Sequence, residues 1–179
     1  LFDKDGTLFN FHHTWAGWAQ AVIEDLSEGD TALRNRLAGA VGYNLAKGAF
    51  LPNSPLIACT NRQAAEYFVE VLPHQDVDAI ETRLTVSALD VPLAPVSDLP
   101  KLLAGFQTRG LKLGMMTNDS EAAARAHLSN VEVVDCFDFI AGFDSGYGAK
   151  PDPDPLLAFA SALDLEPRHV VMIGDSRHD

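Results

Sequence analysis

Two carboxylates stand two residues apart at the start of the chain, in the segment DKDGTL. Residues two apart in an extended segment share one face, so Asp3 and Asp5 are expected to direct both carboxylates into one crevice while Lys4 points away. Gly6 then allows the backbone to turn. Carboxylates held this close repel each other, and a shared proton or a bound cation relieves the repulsion. The pattern therefore predicts an acid/base or metal site.

Other polar residues follow later apolar runs and complete a set suited to phosphate. Thr117 and Asn118 end one run, Lys150 lies in a loop after another, and Asp175 ends the last. A pocket rich in carboxylate oxygens suits Mg²⁺. A hydroxyl, backbone amides at a helix start and an ammonium bind phosphoryl oxygens. We predict Thr117, Asn118 and Lys150 as the phosphate-binding residues.

This combination predicts phosphoryl transfer by a covalent route. Asp3 would attack phosphorus to form an aspartyl phosphate, and Asp5 would protonate the leaving oxygen and later deprotonate the attacking water. Mg²⁺ would bridge Asp3 and the transferring group. Asp175 would supply the second carboxylate ligand, and Asp5 would contribute its backbone carbonyl.

A parallel sheet is needed to bring these residues together. Apolar strands are predicted at 1–3, 111–117, 138–143 and 169–175, with a helix at 98–109 and further helices between them. Such alternation indicates an α/β fold with a Rossmann-like parallel sheet and helices on both faces. In this class ligands bind beyond the carboxyl ends of the strands, where the polar residues stand.

The middle of the chain has a different pattern. Apolar residues recur there at three- and four-residue steps, as in Trp15, Trp18 and Val22, and Thr60 with Gln63 predicts a capping box. The segment GAFLPNSP at 48–55 is predicted as a loop. We therefore expect two domains, a core of 1–11 and 96–179, truncated at both ends, and an inserted helical domain at 12–95.

Composition limits the classes of function. The 179 residues carry a formal charge of -12, which disfavours nucleic acid and anionic membrane surfaces as partners. The apolar runs are much shorter than the roughly 20 residues that cross a bilayer. Cys59 and Cys136 are expected to be reduced thiols, and we expect a cytoplasmic protein without membrane association.

Four segments, DKDGTL, MMTND, GAKPDP and IGDSRHD, resemble in this order the four motifs of the haloacid dehalogenase superfamily. The resemblance implies that Asp3 is the nucleophile and Asp5 the acid/base. It implies that Asp175 binds the metal and that Asp179 supports the metal site or the lysine. It also implies that the helical insert is a cap that excludes water and selects the substrate.

Within this superfamily, the segments SPLIACT and GAKPDPDP are most similar to phosphoglycolate phosphatases. The expected substrate is a small phosphate ester, with phosphoglycolate as the leading candidate, and the expected assembly is a monomer or homodimer. A sugar phosphomutase and a non-catalytic interaction module are the alternatives. Asn10 and Asp119 depart from common family patterns, and the negative charge of Asp119 is expected to affect the anion site.

Overall fold

A computed structural model describes all residues from Leu1 to Asp179. The chain divides into two compact units. The α/β unit comprises Leu1–Asn10 and Leu93–Asp179, and the helical unit comprises Phe11–Pro92. In chain order the helices and strands are β1 (Phe2–Asp3), α1 (Phe11–Ser27), α2 (Thr31–Ala40), β2 (Tyr43–Asn44), β3 (Ala49–Phe50), α3 (Asn61–Val71), α4 (Val77–Ser87), α5 (Leu99–Gln107), β4 (Gly114–Met116), α6 (Glu121–Asn130), β5 (Phe139–Ala141) and α7 (Asp154–Ala162).

The α/β unit is built on a parallel three-stranded sheet with the order β1-β4-β5. Met115 lies opposite Phe2 on one side and Ile140 on the other. These strands are shorter than the apolar runs that predicted them, because only three residues or fewer of each run pair in the sheet. The predicted α/β class and parallel pairing are confirmed.

The strand predicted at 169–175 takes a different form. This segment runs parallel to β1 at the edge of the sheet, and Phe2 and Ile173 form an isolated bridge. Asp3 N donates to Ile173 O at 2.8 Å, and Ile173 N donates to Leu1 O at 2.9 Å. The segment therefore pairs on one side only and over too short a length to count as a strand.

Side chains alternate between the two faces of the sheet, as the pleat requires. On one face, Phe2 and Met115 belong to a buried cluster that includes Leu103 of α5 and Leu128 of α6. On the other face, Leu1 and Met116 pack with Phe159 of α7. Helices thus cover both faces, which explains why the strand residues other than Asp3 at the carboxyl end of β1 are apolar or glycine.

The helical unit contains α1 to α4 together with one short hairpin. Tyr43 of β2 pairs with Phe50 of β3, and the Tyr43 hydroxyl donates to Ala16 O at 2.7 Å. The prediction of a loop over 48–55 is therefore wrong at Ala49–Phe50. The aromatic contact between Tyr43 and Phe50 and the anchoring bond to α1 stabilise a hairpin too short to stand alone.

The helix starts follow the capping residues closely. Thr60 and Gln63 form the predicted capping box at α3, and the Ser120 side chain accepts from Ala123 N at the start of α6. The predicted cap at Asp154 is wrong by one residue, because Pro153 holds the cap position and Asp154 begins α7. None of the helices combines the length and the apolar character needed to cross a membrane.

Candidate functional site

The carboxyl edge of the parallel sheet gathers the polar residues predicted from the sequence. Asp3 is the last residue of β1, Thr117 follows β4, and Asp175 follows the extended segment beside β1. Because these segments run in the same direction, their ends meet at the same edge of the sheet. Buried residues precede Asp3 and Thr117, whereas the segment before Asp175 is largely exposed at the edge of the sheet, with Val171 68% and Ile173 42% exposed.

Lys150 binds two carboxylates at this edge. Its Nζ donates to Oδ1 of Asp3 and, at 2.5 Å, to Oδ1 of Asp179. The side chains are 8% exposed for Lys150, 6% for Asp3 and 5% for Asp179. The loop lysine and the last aspartate thus form an ion-paired group with Asp3, largely withdrawn from solvent.

Burial sets the electrostatics of this group. Loss of hydration raises the pKa of Asp3 to about 6, Lys150 opposes the rise, and the charges of Asp5 and Asp179 add to it. Burial alone would lower the pKa of Lys150, but Asp3 and Asp179 outweigh it and raise that pKa. Burial would likewise raise the pKa of Asp179, but hydrogen bonds from Lys150 and Ser176 lower it.

Three carboxylates at this edge could hold a metal ion. One oxygen from each of Asp3, Asp175 and Asp179 lies within 4.8 Å of the others. Gly6 allows this approach, because a Cβ at that position would lie 2.1 Å from Oδ2 of Asp175. Gly6 also has φ +94°, a conformation that side chains disfavour.

Charge and ligand type both fit a divalent cation. Lys150 pairs with two of these three carboxylates, so one positive charge is set against three negative charges and an excess of two negative charges is left. Carboxylate oxygens are the ligands that Mg²⁺ prefers. The residues present therefore suit Mg²⁺ in both respects. Asp5 lies outside the group of three carboxylates, and its carboxylate has a different partner.

Asn118 fixes the position of the lysine loop. Its side-chain amide donates to Lys150 O at 3.0 Å, and its oxygen accepts from Lys150 N at 2.8 Å. Both ends of the amide thus bind the backbone of Lys150. Thr117 is buried beside it, and its hydroxyl oxygen accepts from Asp119 N at 3.1 Å. Asn118 contributes to this edge chiefly by holding Lys150.

The expectation that Lys4 points away from the neighbouring carboxylates is wrong. Its Nζ lies 2.8 Å from Oδ2 of Asp5 and 3.1 Å from Oδ2 of Asp119. The segment bends directly after β1, so the strict alternation of a strand no longer applies at Lys4. The Asp119 carboxylate is therefore paired with the buried Lys4 ammonium, and this pairing offsets the negative charge that was expected to affect the anion site.

Sequence reasoning missed this buried group as a unit. Lys4 and Asp119 are 115 residues apart, and His127, the third partner of Lys4, is 123 residues away. A lysine between two aspartates is ordinarily predicted to be exposed to solvent. The signal that could have indicated burial is that Lys4 follows an apolar start and precedes Leu8 and Phe9, both fully buried.

Sequence comparison relates the chain to known proteins. The family model of the haloacid dehalogenase-like hydrolases matches residues 1–179 of this chain. A phosphoglycolate phosphatase from Rhodospirillum rubrum is 34% identical over 185 residues, which cover the whole of this chain and 72% of that protein. A phosphoglycolate phosphatase from Escherichia coli K12 is 34% identical over 77 residues, or 43% of this chain and 31% of that protein.

A structural comparison gives the same fold. The crystal structure of a predicted phosphoglycolate phosphatase from Haemophilus somnus 129pt superposes with a TM-score of 0.64 at 16% identity. The match covers 99% of this chain and 76% of that one. The chain belongs to the haloacid dehalogenase-like hydrolase family, as its four motifs predicted, and is a phosphatase-like hydrolase.

Proposed function

We propose that this protein is a Mg²⁺-dependent phosphatase that hydrolyses a small phosphate ester through an aspartyl phosphate. The observation that carries the proposal is the buried Asp3 carboxylate, paired with Lys150 and flanked by two further carboxylates. A nucleophile, a fixed cation and a divalent-metal ligand set at one sheet edge are the parts that phosphoryl transfer requires.

Asp3 is the nucleophile in this proposal. A carboxylate oxygen of Asp3 forms a bond to phosphorus while the bond from phosphorus to the ester oxygen breaks. Asp5 gives its proton to that ester oxygen, so that an alcohol leaves. Asp5 then takes a proton from a water molecule, whose oxygen attacks phosphorus and releases inorganic phosphate with Asp3 restored.

Lys150 and Thr117 bind the phosphoryl oxygens in this proposal. The Lys150 ammonium already contacts Asp3, so it would lie beside any phosphoryl group that Asp3 attacks. The Thr117 oxygen accepts from Asp119 N, which leaves its proton to be donated to a phosphoryl oxygen. Asn118 was predicted to bind phosphate directly, but its bonds to the Lys150 backbone favour a role in placing the ammonium.

Mg²⁺ would be held by Asp3 and Asp175, with Asp179 close by and the Asp5 carbonyl as a further predicted ligand. When bound, the ion would neutralise charge on the phosphoryl oxygens and on the attacking carboxylate. Asp179 has an additional task, because it accepts from both Lys150 and the Ser176 backbone. It thereby ties the metal-binding turn to the lysine.

Phosphoglycolate is the proposed substrate. The support is the resemblance of the GAKPDPDP segment and the two relatives of that name, one of which aligns with the entire chain. The helical unit is proposed as the substrate-selecting cap, on the ground that it is inserted between the first and second motifs.

Phosphate release from phosphoglycolate, measured with Mg²⁺ and after its removal by a chelator, tests the proposal. We expect Asp3→Asn to lose at least about 1,000-fold in turnover while the protein stays folded, because a carboxamide is a poor nucleophile. Asp135→Asn, the same change at an exposed position, is the matched control and should retain activity. Transfer of the phosphoryl group to a sugar hydroxyl without release of phosphate would instead support the mutase alternative.

Retained turnover in a folded Asp3→Asn variant would overturn the covalent step. Full activity after chelation would overturn the metal requirement. An active enzyme that releases phosphate from other esters but not from phosphoglycolate would overturn only the choice of substrate.

A further inference from the structure

A buried lysine cluster lies beside the proposed reaction site. It consists of Lys4, Asp5, Asp119 and His127. The Lys4 side chain has no solvent exposure, and His127 has none either. The side chains of Asp5 and Asp119 are 14% and 6% exposed. A lysine is almost never buried this completely unless it is paired.

Three acceptors lie within hydrogen-bonding distance of the Lys4 ammonium. The ammonium has three N–H groups, and it lies 2.8 Å from Asp5 Oδ2, 3.1 Å from Asp119 Oδ2 and 2.9 Å from His127 Nδ1. Because an ammonium only donates, His127 must accept through Nδ1 and carry its proton on Nε2.

The cluster is anchored from the side of β4 and α6. Asp119 accepts from Ser120 N through its other oxygen at 2.8 Å, and its own N–H donates to Thr117. His127 is on α6 and meets the ring of Phe9 edge-on. These contacts hold Asp119 and His127 in place independently of Asp5. Lys4 therefore projects a fixed donor toward Asp5.

We propose that Lys4 is a positioning residue that holds the Asp5 carboxylate for proton transfer to the leaving group. The ammonium lies 2.8 Å from Oδ2 of Asp5, and this contact restricts rotation of the carboxylate. This inference rests on the proposed function, in which Asp5 is the general acid. Lys4 does not touch the substrate, and it acts only through Asp5.

A purely structural ion pair would have a different signature. Proton donation matters when the leaving group is a basic alkoxide and matters little when it is an acidic phenolate. The ratio kcat/KM reports the steps up to departure of the leaving group, so it isolates this proton transfer from hydrolysis of the aspartyl phosphate. A folding defect, by contrast, lowers kcat/KM for both kinds of ester alike.

The experiment compares phosphoglycolate, an alkyl ester, with p-nitrophenyl phosphate, an aryl ester, on the full chain with Mg²⁺. For Lys4→Met we expect kcat/KM to fall about 30-fold or more with the alkyl ester and less than about 3-fold with the aryl ester. Methionine has a similar length and is accommodated in buried positions, but it carries no charge and no N–H donor. Lys112→Met makes the same change at an exposed lysine paired with Asp138, and it should leave both values unchanged.

A second variant guards against misfolding. Removing Lys4 alone leaves Asp5 and Asp119 facing each other without their cation, which can unfold the protein. The double variant Lys4→Met with Asp119→Asn removes one charge of each sign and should keep the fold. It is expected to show the same selective loss with the alkyl ester, and it decides the question if the single variant does not fold.

Asp5→Asn separates failure of this inference from failure of the proposed function. A selective loss in Asp5→Asn and in the Lys4 variants supports both. A selective loss in Asp5→Asn with equal or no losses in the folded Lys4 variants overturns the positioning role and leaves the proposed function standing. Equal losses with both esters in Asp5→Asn overturn the assignment of Asp5 as general acid, and the role of Lys4 with it.

Discussion

Lys150 in the α/β unit and Arg62 in the helical unit each pair with more than one carboxylate. Lys150 pairs with Asp3 and Asp179 while only 8% of its side chain is exposed. Arg62 pairs on the surface of the helical unit with Asp78, with Glu81 at 3.1 Å and with Glu66 at 3.5 Å, and 44% of its side chain is exposed. The number of partners is similar, but the exposure is not.

This difference in exposure distinguishes charged residues on the surface from those that the proposed reaction uses. Exposed ion pairs contribute little to stability, since water solvates both partners almost as well. Buried ones cost desolvation that their attraction only partly offsets. The buried charged residues of the molecule, Asp3, Lys4 and Asp119, all belong to the α/β unit. The helical unit keeps its charges outside, so its stability must come from apolar packing.

Phe68→Ala tests that last statement and should have the largest effect. Phe68 of α3 is fully buried, and removing its ring should lower the free energy of unfolding by about 4 kcal/mol through lost burial and a residual cavity. Chemical denaturation followed by circular dichroism measures the change. Glu70→Ala, at an exposed position of the same helix, is the control. A loss below about 1 kcal/mol in Phe68→Ala would contradict the apolar account.

Lys150→Met tests the chemical side of the comparison. Losing a fixed cation at the phosphoryl site should reduce turnover about 100-fold, which corresponds to about 2.7 kcal/mol of transition-state stabilisation. Steady-state phosphate release measures it, and Lys101→Met on the surface of α5 is the control. Turnover within a factor of about 3 of the unmodified protein would place Lys150 with Arg62 as a structural charge.

Gly6→Ala tests whether the carboxylates of Asp3, Asp175 and Asp179 bind the metal ion. The new methyl group would collide with Oδ2 of Asp175, so this carboxylate must shift, and half-maximal turnover should need about 10-fold more Mg²⁺. Gly29→Ala is a close control, because Gly29 also has positive φ, at +86°, but no atom within 4 Å of the added Cβ. An unchanged Mg²⁺ requirement in Gly6→Ala would show that Asp175 does not serve the metal.

Arg62→Met should have the smallest effect of the four. Glu66 and Asp78 are more than half exposed and Glu81 is 24% exposed, so water can still solvate these carboxylates and the midpoint of thermal unfolding should stay within experimental error. Differential scanning calorimetry measures this midpoint. A clear destabilisation would mean that exposure does not distinguish the two kinds of charge.

The polar residues at the strand ends were predictable because the parallel sheet places them by a general rule. Asp3, Thr117 and Asp175 each follow an apolar run, and runs of this kind end at the same edge of the sheet. The capping box of Thr60 and Gln63 was also predictable, since both residues act within one helical turn, whereas the cap of α7 was misplaced by one residue.

Other features depend on contacts that span the chain, and local patterns do not contain them. The hairpin of β2 and β3 lies in a segment rich in glycine and proline and is secured by a bond from Tyr43 to Ala16. The cluster around Lys4 needs partners more than 100 residues distant. Neither the pairing nor the burial follows from the residues immediately around them.

The two hydrogen bonds between the Asn118 side chain and the Lys150 backbone make the position of the ammonium depend on Asn118 as well as on the loop that carries Lys150. Asn118 belongs to the segment after β4, so the ammonium is held from a part of the chain 32 residues away. Replacements in the loop before Lys150 are therefore expected to leave the ammonium in place as long as Asn118 is present.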